Sequence, residues 1–189
     1  MKKLLAALGC VVALAGPASA ATTVDLAWGT ADFAAFNGAG DLMIWGADAY
    51  VFGDTIDTPA LLDLMLSFDL ANPVTTATGY LDLSFGGALL LDGMLGTITQ
   101  QEDQLTMVFD GLTGTAASAF GPSLTFELAF VDPLGAAPVS ALVDGTSYDV
   151  VGYGAGSEAP AVPLPATLPL LLAGLGALGV RVRAGLRRA

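Results

Sequence analysis

Between Ala21 and Val180 the chain contains no lysine, arginine or histidine, while all 18 of its acidic residues fall inside that stretch, from Asp25 to Glu158. No side chain of this body can form an ion pair. Its carboxylates must face water, accept backbone N–H groups or share divalent cations, because a lone buried charge is too costly. The six basic residues, Lys2, Lys3, Arg181, Arg183, Arg187 and Arg188, belong to the two ends, so the formal charge of -12 understates how acidic the body is. With no cation to neutralise a phosphate, nucleic acid is excluded as a partner, and an anionic membrane surface is repelled.

The same absences remove most catalytic chemistry. Ser-His-Asp, Cys-His and Ser-Lys constellations, Schiff-base lysines, histidine zinc sites and cationic phosphate clamps all require residue types that the body lacks. The single cysteine, Cys10, lies near the N-terminus, which leaves the body without disulfides or thiolate ligands. "NGAGD" at 37–41 has glycines but neither the spacing nor the following helix of a dinucleotide fingerprint. What survives is paired-carboxylate hydrolysis of glycosides and calcium binding through oxygen ligands. No catalytic residue and no metal-ligand set is assigned. The nearest approach to a calcium site is Asp41, Asp48, Asp54 and Asp57 among glycines, without a nine-residue repeat or an EF-hand pattern.

Residues 21–151 read as one all-β domain. In "LDLMLSFDL", Leu62, Leu64, Leu66, Phe68 and Leu70 fall on one face; Leu124, Phe126, Leu128 and Phe130, then Val24, Leu26 and Trp28, then Leu81, Leu83 and Phe85 repeat the pattern around polar neighbours. This period of two predicts half-buried antiparallel strands. Asp92-Gly93, Asp110-Gly111 and Asp144-Gly145 lie between apolar runs and predict three hairpins. Short strands joined by Gly, Asn and Pro suggest a single β-sandwich or jelly-roll-like domain, with a small barrel as the alternative. Trp28, Trp45, Tyr50, Tyr80, Tyr148 and Tyr153 would offer a sugar-stacking surface if exposed, although aromatic residues in alternating strands more often pack inward.

The ends are addressing segments. Residues 1–20 carry Lys2 and Lys3, a 12-residue apolar run from Leu4 to Ala15, then Gly16-Pro17 and Ala18-Ser19-Ala20. That is the layout of a signal peptide cut by signal peptidase between Ala20 and Ala21. Residues 152–161, with "GAGSEAPA", read as a linker. From Val162 to Val180 no residue is charged. Prolines 163, 165 and 169 confine a helix to the part from about Leu168 onward, and Arg181, Arg183, Arg187 and Arg188 follow, placing the arginines in the cytoplasm and the acidic body outside. Val162-Pro163-Leu164-Pro165-Ala166, an apolar segment and an arginine cluster together resemble the VPLPA-CTERM sorting signal, a variant of the PEP-CTERM tail of Gram-negative bacteria; the likeness covers residues 162–189. It implies recognition by a membrane-embedded exosortase, processing near the motif and release or transfer to the cell surface, in company with extracellular polysaccharide. A plain stop-transfer anchor would give the same orientation.

The expectation is therefore an exported, non-enzymatic surface or matrix protein with a structural or adhesive role and no required cofactor. The alternatives are a carbohydrate-binding module, with or without calcium, and a carboxylate-dependent glycoside hydrolase.

Overall fold

The computed structural model describes residues 22–53 and 55–157. The signal segment with the Ala20–Ala21 junction, Asp54, Glu158, the motif from Val162 to Ala166, the apolar segment behind it and Arg181, Arg183, Arg187 and Arg188 lie outside the described residues. No helix among the described residues is long and apolar enough to cross a membrane.

Eight strands form: β1 (Thr23–Phe36), β2 (Ala39–Phe52), β3 (Asp57–Asp69), β4 (Thr78–Phe85), β5 (Ala88–Gln101), β6 (Gln104–Thr113), β7 (Ser123–Phe130) and β8 (Thr146–Gly156). Each pairs antiparallel with its neighbours in sequence, and β8 pairs antiparallel with β1, so the sheet closes into an up-and-down barrel. The all-β expectation holds; the sandwich and jelly-roll reading does not. Alternation records only which face of a strand meets the core, and a sandwich and a barrel bury that face identically. Strand length and bulges decide between them. β1, β2 and β5 each run 14 residues. Irregularities between Leu26 and Gly29, between Ile44 and Ala47 and at two points of β5 let the sheet coil until its edges meet.

The interior is filled with apolar side chains. Leu26, Leu42, Ile44, Leu62, Leu64, Leu66, Leu81, Leu83, Leu91, Met107, Phe109, Leu124, Phe126 and Leu128 are all inaccessible to solvent, and Thr22 is the one buried polar residue among the described residues. Asp25, Asp41, Asp63, Asp82, Asp92 and Glu127 alternate with them on the outside. A membrane barrel has the opposite polarity, apolar outside and polar within, so this wall does not face lipid. Glycines make room for the largest interior rings: a Cβ on Gly152 or Gly154 would lie 2.6 or 2.9 Å from the Phe126 ring.

Three four-residue helices sit in the longer connections, α1 (Pro73–Thr76), α2 (Ala117–Phe120) and α3 (Pro138–Ala141). Phe120 of α2 and Val139 of α3 are buried, one at each end of the barrel. Thr23 pairs with Ala155, so the chain enters and leaves the barrel side by side, at the end that α2 covers.

The tight turns are not where the Asp-Gly pairs predict them. Two-residue hairpins occur at Asn37-Gly38 (φ 51 and 86), Gly86-Gly87 (φ 58 and 81) and Glu102-Asp103 (Glu102 φ 47). Asp92-Gly93 lies within β5 and Asp110-Gly111 within β6, near its end. Asp144-Gly145 does make a turn, with Thr146 N–H donating to the Val143 carbonyl at 3.2 Å, but it leads from α3 into β8 and joins no two strands. The last strand also reaches Gly156, so residues 152–156, expected as linker, are barrel wall.

Candidate outer-wall aromatic site

The carboxylates meet the demand set by a body without cations. Asp41 accepts the Ser67 hydroxyl at 2.6 Å, Asp144 accepts Ala35 N–H at 2.8 Å and Glu127 accepts the Gln104 amide at 3.0 Å. Asp103 accepts the N–H groups of both Leu134 and Gly135, which fixes the long β7–β8 connection to the β5–β6 hairpin. Tyr50 donates to Asp57, and that hydrogen bond, with partial desolvation and the neighbouring negative charge, holds the phenol above its ordinary pKa.

Asp63, Asp82 and Asp92 stand directly opposite one another across β3, β4 and β5. Burial first, then the charges of Asp92 and Asp63, pushes the Asp82 carboxyl above its usual range. The three form a row along the wall and do not converge on a point. Among the described residues no group of three or more acidic side chains is arranged to hold a metal ion. Asp41, Asp48 and Asp57, three of the expected calcium candidates, are spread along β2 and the start of β3 rather than gathered.

The aromatic residues divide differently from the expectation. Tyr148 packs edge-on against Phe130 at 5.8 Å and accepts Val143 N–H at 2.7 Å through its hydroxyl. Tyr50 lies 4.5 Å from Phe52, and Tyr80 is half-buried on the outer wall between Met65 and Met94. Trp28, Trp45 and Tyr153, by contrast, are exposed by 55%, 54% and 50%. Trp28 leaves the inward series begun by Val24 and Leu26 because Ala27 and Trp28 together face Val151 of β8 in a bulge, which turns Trp28 outward and gives the inward place to Gly29. Trp45 and Gly46 likewise bulge against Asp63, with Gly46 at φ 59 and its N–H donating to the Asp63 carboxylate. Leu70 and Phe85, also expected inside, are exposed just beyond or at the end of their strands.

The two bulges adjoin. Pairing between β1 and β2 stops at Asp25–Tyr50 and resumes at Asp32–Met43, and counting inward from both places Trp45 opposite Thr30 and Trp28 opposite Ala47. Tyr153 stands opposite Asp25. Trp45, Trp28 and Tyr153 therefore follow one diagonal across β2, β1 and β8. Asp63 and Asp48 flank Trp45, Asp149 stands across from Thr30, and Asp25 and Glu127 flank Tyr153. Beside Trp28 the wall dips into a shallow depression of about 330 Å³ lined by Asp25, Ala27, Gln104, Glu127, Val151 and Tyr153, among others. The arrangement offers aromatic faces and hydrogen-bond acceptors, and no cation.

No protein family, no curated protein and no solved structure matches this chain.

Proposed function

We propose that this is an exported, non-enzymatic protein of the cell surface or extracellular matrix, a barrel delivered outside by signal peptidase and sorted through its C-terminal signal by an exosortase. The observation that carries the reading is the order of the tail: the five residues Val162 to Ala166, the uncharged segment to Val180, and then four arginines. A body with carboxylates on the outer wall and no cation suits an aqueous compartment outside the cell and gives an anionic inner-membrane surface nothing to hold. The test is intact mass spectrometry of the protein recovered from its native host's surface and medium. A species starting at Ala21 and ending near residues 162–166 supports sorting; a species retained in the membrane with residues through Ala189 makes it an ordinary anchored protein.

The exposed diagonal of Trp45, Trp28 and Tyr153 favours carbohydrate binding as a second reading, because indole and phenol faces stack on the C–H faces of sugar rings while carboxylates accept their hydroxyls. The reading assigns no metal ligands, since among the described residues no three acidic side chains are arranged to hold an ion. Glycoside hydrolysis is less well supported: it needs two carboxyls facing each other across a cleft about 5–10 Å wide, whereas Asp63, Asp82 and Asp92 stand side by side along the outer wall.

A further inference from the structure

We propose that the diagonal of Trp45, Trp28 and Tyr153 binds a cationic glycan, an amino-sugar polymer whose ammonium groups pair with the carboxylates flanking the rings. The inference rests on the carbohydrate-binding reading and names the ligand's charge.

The charge follows from what surrounds the rings. An exposed indole can carry a lysine or arginine of its own chain over its face; here no such residue exists between Ala21 and Val180, so both tryptophan faces are unclaimed by any cation of the barrel. When ionised, Asp48 and Asp63 beside Trp45, Asp149 near Trp28, and Asp25 and Glu127 beside Tyr153 can only accept; Asp63 already takes Gly46 N–H and Glu127 the Gln104 amide, and both keep further lone pairs. A ligand that satisfies them must be rich in donors, and one that also offsets their mutual repulsion must be positive. Polymers of uronic or sulfated sugars are repelled by the same wall. A neutral sugar matches the rings and the hydroxyl acceptors but leaves the charge uncompensated. A basic peptide matches the charge and can set cations over the rings, but it lacks the flat C–H faces that stack on aromatic groups spaced along one line. The amino-sugar chain uses both features, and the row Asp63–Asp82–Asp92, which starts beside Trp45, extends the anionic track along the wall.

The chain's only two tryptophans are the two in this site, so their emission reports occupancy directly. The experiment titrates the full-length chain, in a neutral detergent at mildly acidic pH where the glucosamine amines carry their protons, with a glucosamine hexamer. The N-acetylglucosamine hexamer, polyuronate and polylysine serve as comparisons. Calorimetry follows the same titrations in Trp28→Ala, Trp45→Ala and Asp63→Asn variants, with circular dichroism and melting to confirm the barrel. The expected result is saturable binding of the glucosamine hexamer with a shift in tryptophan emission and no binding of polyuronate. Each tryptophan variant should bind roughly tenfold more weakly, the order of one stacking or cation–π contact. Asp63→Asn should weaken the cationic hexamer while leaving its acetylated counterpart unchanged. Binding of the acetylated hexamer as strong as that of the glucosamine hexamer overturns the charge inference and leaves the carbohydrate reading standing. Binding of neither hexamer overturns both. Binding of glucosamine hexamer and polylysine alike, unchanged in the folded tryptophan variants, shows general charge attraction and also overturns the proposal.

Discussion

Asp82 shows at the scale of one residue what an absence of cations costs. Its neighbours in register are Asp63 and Asp92, and its carboxyl titrates above the usual range because burial and both charges disfavour ionisation. A carboxyl whose folded pKa is raised binds more protons in the native state than in the unfolded one. Stability is then lost as pH rises from near the unfolded value, about 3.9, and the loss is complete once pH passes the folded value. Asp82→Asn should therefore stabilise the barrel at neutral pH, by about 0.5 kcal/mol for a relieved cross-strand repulsion, and the gain should vanish below the unfolded pKa. Urea unfolding of both forms at pH 7 and pH 3 checks this; an equal gain at both pH values would remove electrostatics as its cause. The row itself was hidden in the sequence. Asp63, Asp82 and Asp92 lie 19 and 10 residues apart, and only register brings them level. Asp92 was expected in a turn, since Asp-Gly favours turns wherever the strand pairing permits one, but here β5 pairs straight through it with β4.

At the scale of elements, the inward-facing leucines and phenylalanines of β3, β4 and β7 were legible because those strands alternate without a break across the described core. In β1 only Val24 and Leu26 could be read as inward, because it contains a bulge, as does β2, and one extra residue reverses every facing assignment after it. Trp28 is the clear case: two places after Leu26 in a perfect alternation it points inward, whereas behind the Ala27–Trp28 bulge it points out. Gly46 was the available signal for the second bulge, a lone glycine inside a strand pattern, placed directly after a tryptophan. Its φ of 59 is costly for a branched residue. Gly46→Val should destabilise the barrel by about 1–3 kcal/mol and alter the environment of Trp45, read as a changed acrylamide quenching of tryptophan emission; unchanged stability and quenching would mean the bulge does not depend on glycine. Phe126→Ala tests the other wall. The ring is fully buried against Gly152 and Gly154, and its loss should cost about 3–5 kcal/mol, measured by denaturant titration.

For the whole molecule, self-repulsion among carboxylates with no opposite charge in the body should make folding depend on ionic strength. Raising sodium chloride from low to moderate concentration should raise the melting temperature through screening. Calcium and magnesium at matched ionic strength should raise it equally, because no three acidic groups among the described residues converge. A larger response to calcium would point to a specific site. That the body is acidic, all-β and carboxylate-faced could be read directly from residue types and alternation. Closure into a barrel could not, since it depends on β8 finding β1 across more than 100 residues, a pairing that leaves no periodic trace in either strand.

The strand that closes the barrel also sets how the molecule would bear a load applied between its C-terminal end and its wall. β8 ends at Gly156, beside the start of β1, so a pull on the chain at Ser157 would be passed to β8 from its end. A partner held by Trp28 and Trp45, near the middle of β1 and β2, would pull the opposite way on those strands. Tension between the two loads the hydrogen bonds of β8 to β1 and to β7 together, in shear, rather than one after another as peeling would. A tether at one rim and a grip at mid-wall thus turn the closing seam, the most non-local pairing in the fold, into the joint that resists being dragged apart.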